Sequence, residues 1–215
     1  ERLAKMFHRP VDLSAARLPS YLTALVGREA ELARVEALLS RDDVRLVTIT
    51  GPGGGGKTRL AMRAAEQVSG RYGDGVAFVS LAPVHDANLV APTIFQALGG
   101  REQGADFSMD RLTQVIGERK LLLVLDNVEQ VVEAAPEIAR LLAACPRLVI
   151  LATSRVALRL SGEHEFRLPP LSLPADGANA TADAGQSDAV RLFVQRATAA
   201  RPDFDPDATT LQAVA

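Results

Sequence analysis

Apolar residues in this chain fall into two alternating patterns, and the alternation predicts an architecture. Runs of consecutive apolar, often β-branched residues mark buried strands: "VRLVTIT" (44–50), "GVAFVSLA" (75–82), "KLLLVLDN" (120–127) and "RLVILATS" (147–154). Between them, apolar positions recur three and four residues apart. "VGREAELARVEALLS" (26–40) places Leu32, Val35, Leu38 and Leu39 on one helical face. "KTRLAMRAAEQVSG" does the same with Leu60, Ala61, Ala64, Ala65 and Val68, and Gly70 is its expected stop. Residues 88–98 read as a helix ending at Gly99-Gly100, and a shorter helix runs to Ile116 after a loop at 104–110. Pro136 divides "EQVVEAA" from "PEIARLLAAC", predicting two helices with the proline in the first turn of the second. "HEFRLPPL" (164–171) predicts a short fifth strand. Strands that are apolar throughout and separated by helices predict an α/β fold. Its form is a three-layer α/β/α sandwich around a mostly parallel five-stranded sheet.

The same pattern divides the chain. Residues 1–24, which mix charge with Pro10 and Pro19, read as a leader or linker, and 25–172 read as one domain. "LPADGANATADAGQSD" (173–188) is aperiodic and rich in Ala, Asp and Gly, which predicts a flexible connection. Residues 189–215 hold a helix (189–200) and then the start of a further helical domain that the chain cuts off.

Composition narrows the function. The formal charge is −2, which gives no support for a nucleic-acid surface. The single cysteine, Cys145, excludes an intrachain disulfide, and no apolar run nears the ~20 residues of a membrane span. The N-terminus has neither an initiator Met nor the apolar centre of a signal peptide, so the expectation is an excised piece of a cytoplasmic protein. Only three of the 24 basic residues are lysines: Lys5, Lys57 and Lys120. Lys57 therefore stands out.

It stands in "GPGGGGKT". Gly51-Pro52-Gly53-Gly54-Gly55-Gly56-Lys57-Thr58 satisfies the phosphate-loop pattern G-x-x-x-x-G-K-[ST] without a mismatch, between a predicted strand and a predicted helix. A phosphate chain must be wrapped by inward-pointing backbone N–H groups, and the necessary curvature is open to glycine. The helix that follows directs its first N–H groups and the positive end of its dipole at the same anion. Lys57 would reach the β- and γ-phosphates, and Thr58 would offer its hydroxyl to Mg²⁺. The fold class is accordingly that of a P-loop NTPase.

Three further residues complete the candidate set. Asp126 ends the most apolar strand, so its carboxylate is expected at the carboxyl edge of the neighbouring strand, holding Mg²⁺ directly or through water. Glu129 is the next carboxylate; it either orients the attacking water or only favours the dipole of a first helical turn. Arg155 ends "LATSR" at the edge where ligands bind in open α/β sheets, either sensing the γ-phosphate or standing in solvent.

Six ordered segments carry a resemblance: "LTALVGREAELARVEALL", "RLVTITGPGGGGKTRLA", "GVAFVSLAP", "LLLVLDNVEQVVEAAPEIARLLAACPRLVILATSR", "GEHEFRLPPL" and "AVRLFVQRA". Across about residues 20–205 the chain resembles the ATPase domain of bacterial STAND regulators, signal-transduction ATPases related to the NB-ARC class and found in LuxR-type and SARP-type transcriptional regulators. The resemblance implies nucleotide contacts from Val26, Gly27 and Arg28 on the base or ribose side. It further implies contacts from Gly51 through Gly56, Lys57, Thr58 and Arg59 around the phosphates, and from Pro170 nearby. It places Mg²⁺ at Thr58 and Asp126, a γ-phosphate sensor at Arg155, and catalytic work at Lys57, Asp126, Glu129 and Arg155. At the position of Gly55 the family usually has a larger residue, often Val. The family also continues into a "GLPLA" segment and a winged helix that hold ADP, so this chain is expected to bind nucleotide less tightly than the whole protein.

The implied function is a switch: ADP holds a closed state, ATP with Mg²⁺ favours an open and assembling one, and slow hydrolysis acts as a timer. Its partners would be nucleotide, the sensor and effector domains of a longer chain, and copies of itself in a nucleotide-dependent oligomer, without direct DNA binding or a membrane. The alternative is a conventional high-turnover ATPase or phosphotransferase.

Overall fold

The computed structural model describes residues 18–19, 23–100, 107–173, 187–201 and 203–204. Five strands, β1 (Leu46–Thr50), β2 (Val76–Ser80), β3 (Leu122–Asp126), β4 (Val149–Ser154) and β5 (Glu163–Arg167), form one sheet in the order β2-β3-β4-β1-β5. Every pairing in it is parallel. The helices are α1 (Glu29–Leu39), α2 (Lys57–Val68), α3 (Val90–Ala97), α4 (Met109–Ile116), α5 (Ala135–Ala144) and α6 (Asp188–Ala200).

The strands β1 and β3 are buried at every position, as their unbroken apolar runs require. Alternate residues of one strand feed two separate cores. Leu123, Leu125, Ile150 and Ala152 pack under α3, α4 and α5, while Leu122, Val124, Val47 and Leu151 pack against α1 and α2. The helical face predicted on α2 is the one it buries: Leu60, Ala61, Ala64, Ala65 and Val68 all lie in the core. The result is the predicted three-layer sandwich.

Several expectations need correction. Asp126 does not end a strand adjacent to β1, because β4 is inserted between β1 and β3. Two hydrogen-bonded spacings, ~10 Å, therefore separate the strand before the phosphate loop from the strand that carries the acid. Residues 26–28 are not helical: Gly27 has φ +63° and α1 begins at Glu29. "EQVVEAA" is not an α-helix of its own: residues 129–134 lie in a 3₁₀ segment, Val128–Ala134, kinked at Val131 (φ −140°, ψ 43°), and Ala135 already opens α5. The helix after it does carry Pro136 in its first turn. The short fifth strand is present as expected, ending at Arg167 and leading into Pro169-Pro170. Most of the expected leader and of the connection 173–188 lies outside the described residues, as does nearly all of the chain after Arg201. Ser187 and Asp188, at the end of that connection, are packed: Ser187 is buried and caps α6, and Asp188 bonds Ser172. No described helix is long and apolar enough to cross a membrane.

Candidate functional site

The phosphate-loop segment occupies the turn between β1 and α2, at the carboxyl edge of the sheet. Pro52 to Gly55 close a turn through Gly55 N–H donating to the Pro52 carbonyl at 3.4 Å. Gly54 (φ +76°) and Gly56 (φ +90°) hold the left-handed conformations that bend the chain. Gly55 needs no such conformation, but a Cβ there would stand 3.3 Å from the Pro52 carbonyl, so a larger residue would tighten this turn. Lys57 is buried, and its ammonium donates to the carbonyls of Gly51 and Pro52, both at 2.9 Å. Two of its three donors therefore rest on the loop itself, in the concavity that a phosphate would enter.

The link across β4 is made by side chains. The Thr58 hydroxyl donates to Asp126 Oδ1 at 2.6 Å, and so does the Thr153 hydroxyl of β4, also at 2.6 Å. Thr153 in turn accepts the Asn127 N–H at 3.1 Å. The intervening strand thus becomes the bracket for the acid. Asn127 sits at φ 63°, ψ 44°, a left-handed turn that Asn tolerates, which starts the 3₁₀ segment and directs the chain toward Glu129.

Glu129 and Arg155 meet. Glu129 Oε1 lies 3.4 Å from Arg155 Nε and accepts from Asn127 Nδ2 at 3.4 Å; its Oε2 is buried without a partner. The Arg155 guanidinium also lies beside Gly53, with one terminal nitrogen 3.6 Å from where a Cβ would stand. Arg155 is therefore not merely solvated, although its side chain is 65% exposed: it spans the phosphate loop and the carboxylate.

The remaining expected residues surround the loop. Arg28 is buried; its guanidinium donates to Glu31 at 2.9 Å and to the Gly55 carbonyl at 3.4 Å. Arg59 donates to the carbonyls of Thr23 and Ala24 at 2.7 and 2.9 Å. Val26 is half-buried, and Gly27 lies against the Asp188 side chain at the start of α6. Pro170 is exposed, two residues past Leu168, whose N–H donates to the Thr50 carbonyl at 2.8 Å. A cavity of about 500 Å³ opens between α1 and α2, lined among others by Thr23, Ala24, Arg28 and Arg59.

Sequence reasoning missed Thr153, visible only as an ordinary residue in "LATSR", and noted Asn127 only as standing where some ATPases carry a second acid. The set fits the groups it was expected to hold. Thr58 and Asp126 present hard oxygens at one point, the donor type Mg²⁺ takes, and would supply only one or two of its ligands, leaving the rest to phosphate and water. Among the described residues no cluster of three or more His, Cys, Asp or Glu side chains offers a self-sufficient metal cage. The trapped Lys57 ammonium and the orphaned Glu129 oxygen are groups that a nucleotide and its water would satisfy.

Comparison with known proteins agrees with this geometry. The chain is 43% identical over 191 residues to an uncharacterized protein of Mycobacterium tuberculosis, covering 88% of this chain and 45% of that one. It is 41% identical over 171 residues to a putative HTH-type transcriptional regulator of the same organism, covering 79% of this chain and 18% of the relative. The chain thus spans less than half the length of these relatives. Among solved structures, Cdc6p of Pyrobaculum aerophilum shares the fold, with a TM-score of 0.61 at 17% identity, covering 94% of this chain and 57% of that one. Residues 41–168, more than half of the chain and all of β1 to β5, match the AAA domain family AAA_22. With a phosphate loop, a bracketed strand-end acid and a parallel sheet of that order, the chain belongs to the AAA domain family of nucleotide-binding P-loop ATPases.

Proposed function

We propose that the chain is the ATP/ADP-binding switch module of a STAND-class signal-transduction ATPase, in which slow Mg²⁺-dependent hydrolysis controls a transcriptional regulator. The observation that carries the nucleotide reading is the Thr58–Asp126 hydrogen bond of 2.6 Å, which joins the phosphate-loop helix to the strand-end acid across β4. The regulator reading draws on the likeness to a putative HTH-type transcriptional regulator, whose other domains would be the output.

In this mechanism the loop amides and Lys57 bind the phosphate tail, Lys57 exchanging the Gly51 and Pro52 carbonyls for phosphate oxygens. Thr58 and Asp126 would hold Mg²⁺, which when bound offsets charge developing on the phosphates. Arg155, which lies beside Gly53, would reach the terminal phosphate. Glu129 would orient water through Oε2, and while Arg155 holds Oε1 the carboxylate is not free to turn toward a substrate. That contact favours slow turnover over a high-turnover enzyme. A triphosphate that draws Arg155 to itself binds one arrangement better than the other, which is the differential affinity a switch requires.

Titration of ATP and ADP, with and without Mg²⁺, against the native chain and Lys57→Ala tests this. The expected result is a large loss of triphosphate affinity in the variant with an unchanged circular dichroism spectrum. Equal affinity in both proteins refutes the nucleotide site. Turnover measured in minutes per cycle fits the switch, whereas ~1–100 s⁻¹, as in kinases, would favour the high-turnover alternative.

A further inference from the structure

We infer that Arg28 is a positioning residue for the phosphate loop, setting the orientation of the Gly55–Gly56 peptide from outside. This goes beyond the base-side contact that the resemblance implies, and it rests on the nucleotide reading above.

The loop sets a geometric requirement. To wrap a phosphate, amides must face inward, so the carbonyls on the same peptides face outward. A trans peptide holds C=O and the next N–H in one plane, pointing in opposite directions, and no cis bond is present among the described residues. Whatever fixes the Gly55 carbonyl therefore also aims the Gly56 N–H. The Arg28 guanidinium does so: one terminal nitrogen donates to the Gly55 carbonyl at 3.4 Å, while the other donates to Glu31 Oε1 at 2.9 Å.

Two features mark this as a built contact. Arg28 is only 4% exposed, in a chain whose arginines mostly stand in solvent, and the Glu31 side chain that holds it is 16% exposed. The carbonyl it holds also belongs to a loop glycine that, unlike Gly54 and Gly56, is not held in a left-handed conformation. Gly55 adds backbone freedom to the loop, and a buried guanidinium on its carbonyl removes part of it. A second arginine runs the opposite way: Arg59, on the helix behind the loop, donates to the carbonyls of Thr23 and Ala24. Segment 23–28 and the phosphate loop are thereby tied in both directions, and movement of one is carried to the other.

The test separates orientation of the loop from recognition of the base. Dissociation constants for ATP, GTP and inorganic tripolyphosphate are measured for the native chain, Arg28→Ala, Arg28→Lys and Glu31→Gln, each with a thermal melt. Tripolyphosphate has no base or sugar. The expected result is that Arg28→Ala weakens all three ligands by the same factor, about tenfold, the size of one charge-assisted hydrogen bond. The ATP-to-GTP ratio stays at its native value, Arg28→Lys recovers part of the loss, and Glu31→Gln gives a smaller loss in the same direction. Unchanged tripolyphosphate affinity with weakened ATP would overturn the inference, since Arg28 would then be reading the base or ribose. Unchanged affinities with a lowered melting temperature would also overturn it, leaving Arg28 a fold contact only. If Arg28→Ala does not fold, Glu31→Gln decides by the same two criteria. Failure of the nucleotide reading looks different: the native chain and Lys57→Ala would bind tripolyphosphate equally, and both conclusions would fall together.

Discussion

Replacing Thr153 by Val tests whether β4 is the bracket of the site. Thr153 is 1% exposed, donates to Asp126 at 2.6 Å and accepts from the Asn127 N–H at 3.1 Å. Valine keeps the shape and removes both bonds. A hydrogen bond to a charged carboxylate is worth about 1.5–3 kcal/mol, and a buried N–H left without a partner costs about 1–3 kcal/mol. The added methyl returns about 0.8 kcal/mol. The net loss is about 2–5 kcal/mol, which for a chain of this size lowers the melting temperature by roughly 4–20 °C. Asp126 keeps Thr58 as a donor but loses the one that comes from the sheet, so its carboxylate is free to turn. The Mg²⁺-dependent part of ATP affinity is therefore expected to fall about tenfold, the equivalent of about 1.4 kcal/mol. Affinity for ADP without Mg²⁺ should change by less than about twofold, because the phosphate loop is untouched. The assays are a urea or thermal unfolding curve and isothermal titration with and without Mg²⁺. An unfolding midpoint equal to the native one, with Mg²⁺ dependence intact, would refute the bracket.

Two more predictions follow from the folded chain alone. Burial pushes the Tyr72 phenol up to about 12 against the opposing pull of Arg71, and its hydroxyl donates to the Leu39 carbonyl at 3.0 Å. The unfolded phenol ionises near pH 10. Its contribution is therefore whole below about pH 10 and is lost as pH rises toward about 12. Tyr72→Phe should be less stable at neutral pH and lose stability less steeply in that window, read from urea midpoints; parallel curves for both proteins would exclude this. At Gly27 (φ +63°) a Cβ would run into the Asp188 side chain, so Gly27→Ala should loosen α6 and expose Val190, now 1% exposed. Amide exchange in α6 should quicken by at least about fivefold, as expected for the ~1 kcal/mol of a left-handed alanine. Unchanged exchange would mean that α6 is not held there.

What the amino-acid sequence determined by itself is the local chemistry. The loop, its lysine and the strand-to-helix transition are contiguous, and one bend of main chain makes them a unit whatever the rest of the fold does. Asp126 was legible because an apolar strand that ends in an acid is an anomaly within a single segment. Nothing local says which strands are neighbours. That β4 separates β1 from β3, so that Thr153 stands between them and shares Asp126 with Thr58, rests on the pairing of β4 with β1, between residues about 100 positions apart. The same holds for Arg28 on Gly55, Arg155 between Gly53 and Glu129, and Asp188 against Gly27. In each, the sequence could name the side chain as a candidate or leave it unremarked, but not say which backbone it would meet. The side chain acquired a role only when the packing of the sheet and helices brought a distant backbone within reach and left water no room to compete.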